Sequence, residues 1–245
     1  MHKLLPNGRR GSSWPVARRF AGWRATWSQD RRRARGAHPD GSNWAVGQTH
    51  YWPLTEASGT RYDYVGTVDL TDHGGVTSAV VDGRAAAVFS RANQQYLSAA
   101  GNQLRFHIPF SCAFWARAND AANEYVFLSK DEPAGREFSV QSGSDLASLH
   151  PYAYTQASGS FGMSAVAALT WFHFALTFDG ATLTLYFDGT PAAQATGIPT
   201  LTYTEFRVGA RVYPGFENYL DGQMADLRMW GRALTAAEVA TVFDL

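Results

Sequence analysis

The chain has 245 residues, 45% apolar and 14% aromatic, which is enough for one β-sandwich with a sizeable core and an appendage. A single cysteine, Cys112, excludes an internal disulfide, and no apolar run approaches the roughly eighteen residues of a membrane-spanning helix. The formal net charge of zero hides a split: residues 1–43 hold ten basic and two acidic side chains (+8), and residues 44–245 hold eleven basic and nineteen acidic ones (−8).

Residues 1–43 read as a basic N-terminal arm. Ser13-Trp14-Pro15 can open a helix, and Val16, Phe20, Trp23 and Trp27 then recur on one helical face. Arg31, Arg32 and Arg33 follow, and Gly36 to Asn43 has linker composition. Four readings are open for this arm. It is a docking segment for a protein partner or neighbouring subunit, a disordered or misassigned leader, a nucleic-acid-binding arm, or a membrane-surface helix. An apolar stripe needs a cover, which argues for docking. The arm lacks the apolar core of a secretory signal, because Arg and Gly interrupt it throughout.

Residues 44–245 read as one all-β body. Strands are expected at His50–Leu54, Thr67–Thr71, Ala85–Ser90, Gln95–Ser98, Phe110–Ala116, Glu124–Lys130 and Arg136–Gln141. Residues 146–168 give no clear pattern. Trp171 to Gly189 is the strongest stretch: two apolar alternating runs flank Asp179-Gly180, with Asp188-Gly189 as a second turn. A strand apolar on both faces belongs inside a layered sheet. Glu205–Gly209 reads as a strand, Arg211–Asp221 as a long loop and Gly222–Trp230 as the last long strand. Thr235 with Glu238 fits a capping box, so a short helix is expected to about Phe243. The fold class is an all-β, two-sheet antiparallel sandwich (jelly roll) with a short C-terminal helix.

Several segments of the body carry a family likeness. They are Tyr51-Trp52-Pro53-Leu54, Asp63-Tyr64-Val65-Gly66, Phe110 to Trp115, Trp171 to Gly189, Gly222 to Trp230 and Arg232-Ala233-Leu234-Thr235. In this order and spacing the body resembles the laminin G-like, concanavalin A-like lectin/glucanase jelly rolls with pentraxin-like features, over about residues 50–245. The resemblance implies the fold. It leaves function open, because this fold hosts lectins, adhesion modules, spacers and some enzymes. It places Trp52, Trp115, Trp171 and Trp230 at core positions, and His173 as a core or inter-strand hydrogen-bonding residue. The final strand carries Ala225, followed by Asp226, where the family often carries an acid.

No catalytic set emerges. The strands lack paired carboxylates at glycosidase spacing, and the chain has no G-x-S-x-G elbow, no H-E-x-x-H and no phosphate loop. Cys112 reads as core. The chain is therefore expected not to be an enzyme. Related domains often hold calcium at the sandwich rim, and Ca²⁺ needs an acid-rich oxygen shell. The candidate ligands are Asp63 and Asp72 (with Asp69) in one segment and Asp221 (with Glu217) in another, against the plainer reading of ordinary turn acids. For a ligand, the loop residues Arg211, Tyr213, Phe216, Asn218 and Tyr219, with Tyr152 and Tyr154, combine rings and polar groups as sugar sites do. The alternative is a long loop packed down by its own aromatics.

The expected function is a non-catalytic module recognising glycan or another surface polymer through rim loops, extracellular or on a virion surface. The alternative is a structural decoration or fibre protein of a phage-like particle, docked by the basic arm. A polysaccharide-degrading enzyme comes third. The expected partners are glycan, an assembly partner for the arm, nucleic acid through the arm only, and other copies in a homo-oligomer.

Overall fold

The computed structural model describes residues 43–100, 109–123, 125–132, 135–144, 149–155, 159–161, 165–196, 205–213 and 216–245. The arm residues Val16, Phe20, Trp23, Trp27, Arg31, Arg32 and Arg33 lie outside these. The body forms two antiparallel sheets. In the first, β13 (Thr190–Thr196), β12 (Thr182–Phe187), β11 (Phe172–Phe178), β6 (Phe110–Ala118), β17 (Gly222–Trp230), β4 (Arg84–Phe89) and β3 (Thr77–Val81) follow in that order, and β1 (Gln48–Trp52) also pairs with β17. In the second the order is β10 (Gly159–Phe161), β9 (Leu149–Thr155), β8 (Gly135–Ser144), β7 (Tyr125–Glu132), β14 (Glu205–Val208), β5 (Tyr96–Ala100) and β2 (Thr71–His73). A separate hairpin joins β15 (Ala210–Tyr213) to β16 (Phe216–Tyr219), and helix α1 (Ala236–Phe243) closes the described chain.

The period of two explains the layers. All seven residues of β11 are buried. Phe172, Phe174, Leu176 and Phe178 enter the core between the sheets, with Phe114, Phe127, Phe206 and Leu128. Ala175 points the other way, into a second cluster with Ala113, Tyr186, Trp230, Val239 and Val242 under α1. Phe174 pairs with Phe114 in register, their rings 5.5 Å apart. Cys112 is buried here, and burial pushes its thiol up to about 12. His173 points to the other face, toward α1, between Trp115 and Phe243. Burial, with Arg84 and Arg228 adding to it, lowers its pKa to about 3, so the ring is neutral. Its Nδ1 has no hydrogen-bond partner among the described residues, so the core role holds and the inter-strand hydrogen bond is not seen for that atom.

Four expectations are corrected. Thr67–Thr71 is mostly loop, and its strand starts at Thr71. The unpatterned stretch 146–168 contains β9 and β10. Arg211–Asp221 is not a loop but most of the β15–β16 hairpin. Trp52 and Trp230 are fully buried, whereas Trp115 and Trp171 are only half-buried on the outer face of the first sheet. The turns also divide differently. Asp188-Gly189 and Asp82-Gly83 both have paired positive φ, as tight two-residue hairpins need, whereas at Asp179 the carboxylate caps the amides of Ala181 and Thr182 instead.

The capping box at α1 forms as expected, with Thr235 and Glu238 bonded reciprocally. Arg232 donates to both Glu238 oxygens, at 2.6 and 2.8 Å. That guanidinium, helped by Thr235 and opposed by burial, holds the Glu238 carboxyl at about 2 rather than 4.5. A depressed carboxyl pKa adds stability above the unfolded value and loses it as pH falls through the folded one. The thermal midpoint is therefore expected to fall between pH 4.5 and 2. Glu238→Gln should be less stable at neutral pH and show a shallower fall in that window, measured by circular dichroism melts.

Candidate functional site

Leu97 and Ala99 of β5 and Phe206 and Val208 of β14 face the core. Their neighbours Tyr96, Ser98, Glu205 and Arg207 therefore occupy the outer face of the second sheet. Strand register continues this into a row across all seven strands. Thr71 pairs with Ser98, Ser98 with Arg207, Arg207 with Ser129, Ser129 with Ser139, Ser139 with Tyr154, and Tyr154 with Ser160. Small hydroxyl residues dominate the row, but Ser98, Ser129 and Ser139 are buried, so the part of this face open to a ligand lies at the β5–β14 end, around Tyr96, Arg207 and Glu205.

Tyr96 anchors one end. The His73 ring stacks on it at 4.2 Å with the planes 5° apart, and His73 Nε2 is hydrogen-bonded to Ser98 Oγ at 2.9 Å. The Tyr219 ring lies 6.3 Å away, and the Arg207 guanidinium 6.0 Å from the Tyr96 ring. Arg207 Nη2 donates to Glu205 Oε2 at 2.5 Å. The face thus combines an aromatic platform with a fixed donor–acceptor pair.

The β15–β16 hairpin folds back beside β7. The chain reverses at Gly209, whose φ is +82° and where a Cβ would lie 2.6 Å from Phe89 Cδ1. Ser129 Oγ donates to the Ala210 carbonyl at 2.8 Å. Arg211 is 4% exposed and donates through Nη1 to Gln141 Oε1 at 2.6 Å, so it is placed as an anchor of the hairpin. Asn218 pairs with Arg211 in register, Tyr213 with Phe216, and Tyr219 is nearly buried. Tyr152 lies opposite Gln141 and Tyr154 opposite Ser139. The backbone therefore brings the two sequence-chosen segments to one region of the second sheet. The residues that sequence reasoning missed are His73, Tyr96, Ser98 and Arg207. Their signal was the alternation in Gln95–Ala100 and Glu205–Val208, where each core residue (Leu97, Ala99, Phe206, Val208) is preceded by a polar or aromatic one.

The calcium candidates do not form one group, and among the described residues no cluster of three His, Cys, Asp or Glu side chains suits a metal ion. The Asp63 side chain is fully enclosed. It accepts from His50 Nδ1 at 2.6 Å and from the amides of Tyr51, Val65, Gly66 and Val68 at 2.9–3.2 Å. Burial alone would raise its pKa, and these donors more than offset it, leaving the carboxyl below its ordinary range. Gly66 has no space for a side chain, since a Cβ would sit 2.5 Å from Asp63 Oδ2 and 2.6 Å from the Thr49 carbonyl. Asp72 caps the amides of Gly59 and Val76, and Asp221 accepts from Asn119 Nδ2 at 2.6 Å. The Asp63 oxygens face N–H donors, a set that does not fit a cation.

With sheets and site in place, the relationship to known proteins is clear. Residues 90–240, more than half of the chain, match the family model described as the Concanavalin A-like lectin/glucanases superfamily, and the chain belongs to that family. Among solved structures it is similar to domain 4 of AbnA, a GH43 extracellular arabinanase from Geobacillus stearothermophilus, in complex with arabinotriose. The identity is 16% and the TM-score 0.58, over 80% of this chain and 97% of that one. It is also similar to the binding domain of botulinum neurotoxin DC in complex with SialylT, at 12% identity and TM-score 0.60, over 82% and 52% of the two chains. A mutant of Trypanosoma rangeli sialidase displaying trans-sialidase activity matches at 16% and 0.61, over 89% and 37%. The chain thus spans about half of the neurotoxin domain and less of the sialidase, and the likeness is one of fold. No curated protein sequence matches the chain. No described helix is long and apolar enough to cross a membrane.

Asp63→Ala should lower stability by about 2–4 kcal/mol, because His50 and four backbone amides, three of them in part-buried bonds, lose their acceptor. The check is denaturant unfolding with calcium and again with chelator. The same loss in both is expected, and a calcium-dependent midpoint abolished by Asp63→Ala would show the carboxylate to be a cation ligand instead.

Proposed function

We propose that the sandwich is a non-catalytic module that binds glycan on the outer face of its second sheet. The observation that carries this is the half-buried His73–Tyr96 stack beside the partly open Arg207–Glu205 pair. A ring offers its face to the apolar side of a sugar, and a fixed carboxylate–guanidinium edge meets neighbouring hydroxyls with both an acceptor and donors. The neighbours support the class of ligand. One is a domain in complex with arabinotriose, another is a toxin binding domain in complex with SialylT, and cell entry of botulinum neurotoxin type C depends on two ganglioside molecules. Such a module fits a protein displayed outside the cell or on a particle.

Two other readings keep one observation each. Register sets Asp131 opposite Glu205, so two acids lie abreast on adjacent strands, as polysaccharide hydrolysis would need. Turnover of a polysaccharide by the purified chain, lost in Glu205→Gln, would replace the binding reading. The +8/−8 charge split supports a particle protein docked by residues 1–43, and assembly that persists without those residues would end that reading.

A glycan array probed with the full chain tests the binding reading. At least one glycan should be retained, with affinity about tenfold weaker in Tyr96→Ala and in Arg207→Met. Chelator should leave the signal intact if calcium is absent from the site, and its loss would bring the ion into the recognition. Retention unchanged by both substitutions would move the site elsewhere.

A further inference from the structure

The outer face of the first sheet holds a second set of groups. Helix α1 covers the half over Ala113, Ala175 and Trp230. Beyond it lies a cleft of about 630 Å³ whose walls include Tyr51, Asp82, Arg84, Trp171 and Asp226. None of these residues belongs to the Tyr96 face.

The cleft is built around a kink. β17 shifts register against β6 between Ala225 and Arg228, and within the shift Asp226 has φ +53°. A non-glycine residue held there at a bulge re-aims its side chain, and such strain gathers at functional positions. Tyr51 Oη donates to Asp226 Oδ1 at 2.7 Å, while Arg84 Nη1 lies 3.4 Å from Oδ2 and Arg228 Nη2 3.5 Å from Oδ1. The Asp226 side chain is still 31% exposed and that of Arg84 26% exposed. The Arg84 guanidinium lies 3.8 Å over the Trp115 ring and 5.8 Å from Trp171. Trp171 is half-buried, and its Nε1 is tied to the Val81 carbonyl at 3.1 Å, so its ring is fixed.

These contacts select a ligand class. The lining holds two acids, Asp82 and Asp226, against one cation, Arg84, so an anion finds no surplus of positive charge on the walls. A wholly apolar ligand would cover a carboxylate and a guanidinium without satisfying them. A neutral polyhydroxyl compound meets both demands. We propose that this cleft is a second saccharide site for neutral sugars, in which Trp171 takes the apolar face while Asp226 accepts from, and Arg84 donates to, ring hydroxyls. It lies on the opposite sheet from Tyr96 and stands whether or not that face binds glycan. Both sites together would make the module bivalent.

Isothermal titration of the full chain with cellotetraose, xylotetraose, mannotetraose and arabinotetraose tests it, with sialyllactose as the anionic probe. At least one neutral probe should bind, and Arg84→Met and Asp226→Asn should each weaken it about tenfold. If Asp226→Asn unfolds the bulge, Arg84→Met decides, since Arg84 lies on β4 outside it. The proposal is overturned if no neutral probe binds, or if binding survives Arg84→Met. It is also overturned if sialyllactose binds more tightly than the neutral probes in an Arg84-dependent way. Binding that falls in Tyr96→Ala but not in Arg84→Met belongs to the other sheet and equally overturns the cleft.

Discussion

Strand β11 must be dry on both faces, and much of the molecule follows from that. One face is met by the second sheet through Phe172, Phe174, Leu176 and Phe178; the other needs α1. Covering a sheet on both sides leaves it little room for polar display. The second sheet has one face on the core and sends polar residues to the other by its period of two; that outer face is buried at Ser129, Ser139 and Gln141, where the β15–β16 hairpin is anchored, and partly open around Tyr96 and Arg207. These are the two surfaces on which we propose ligand recognition: the open end of the outer second sheet and the margin of the first that α1 leaves uncovered. The Arg232–Glu238 pair matters because it fixes the helix on which this division rests.

Connections without regular structure are held by enclosed polar groups. Asp63 gathers the 63–68 loop on its carboxylate. Arg61, fully buried, donates to the carbonyls of Gly59, Val76 and Thr77. Gln95 bonds the carbonyls of Gly74 and Gly75 and the amide of Ser90. Each spends a side chain on backbone groups that would otherwise be unsatisfied. The acids that read as cation candidates in sequence are among these groups: Asp63 and Asp72 accept from the amides of Gly66 and Val76. The two candidate surfaces differ in kind: their charged pairs, Arg207–Glu205 and Arg84–Asp226, remain partly open to solvent.

The layered fold was legible wherever burial is two-sided. The runs around Asp179-Gly180, in Phe110–Ala116 and in Gly222–Trp230 announce strands because their apolar content leaves no other place for them. Where one face is wet, the signal faded. β13 reads TPAAQAT, an exposed edge strand with Pro191 and few apolar residues, and it was not anticipated. The β15–β16 hairpin mixes charged and aromatic residues around Pro214-Gly215 and reads as a loop, though a Pro-Gly pair between two short runs is also a hairpin signal. The sites were less legible still. Tyr96, Ser98 and Arg207 are far apart in sequence, and only strand order makes them neighbours. Trp115 and Trp171 match core positions of the family, yet α1 stops short of enclosing them. The bulge that turns Asp226 outward has no local signature in Met224-Ala225-Asp226-Leu227.

The most direct measurement is amide chemical-shift mapping of the full chain during titration with the strongest glycan from the array. The expected result is perturbation centred on His73, Tyr96, Ser98 and Arg207. Saturable binding with those amides unmoved would contradict the assignment of recognition to the outer face of the second sheet.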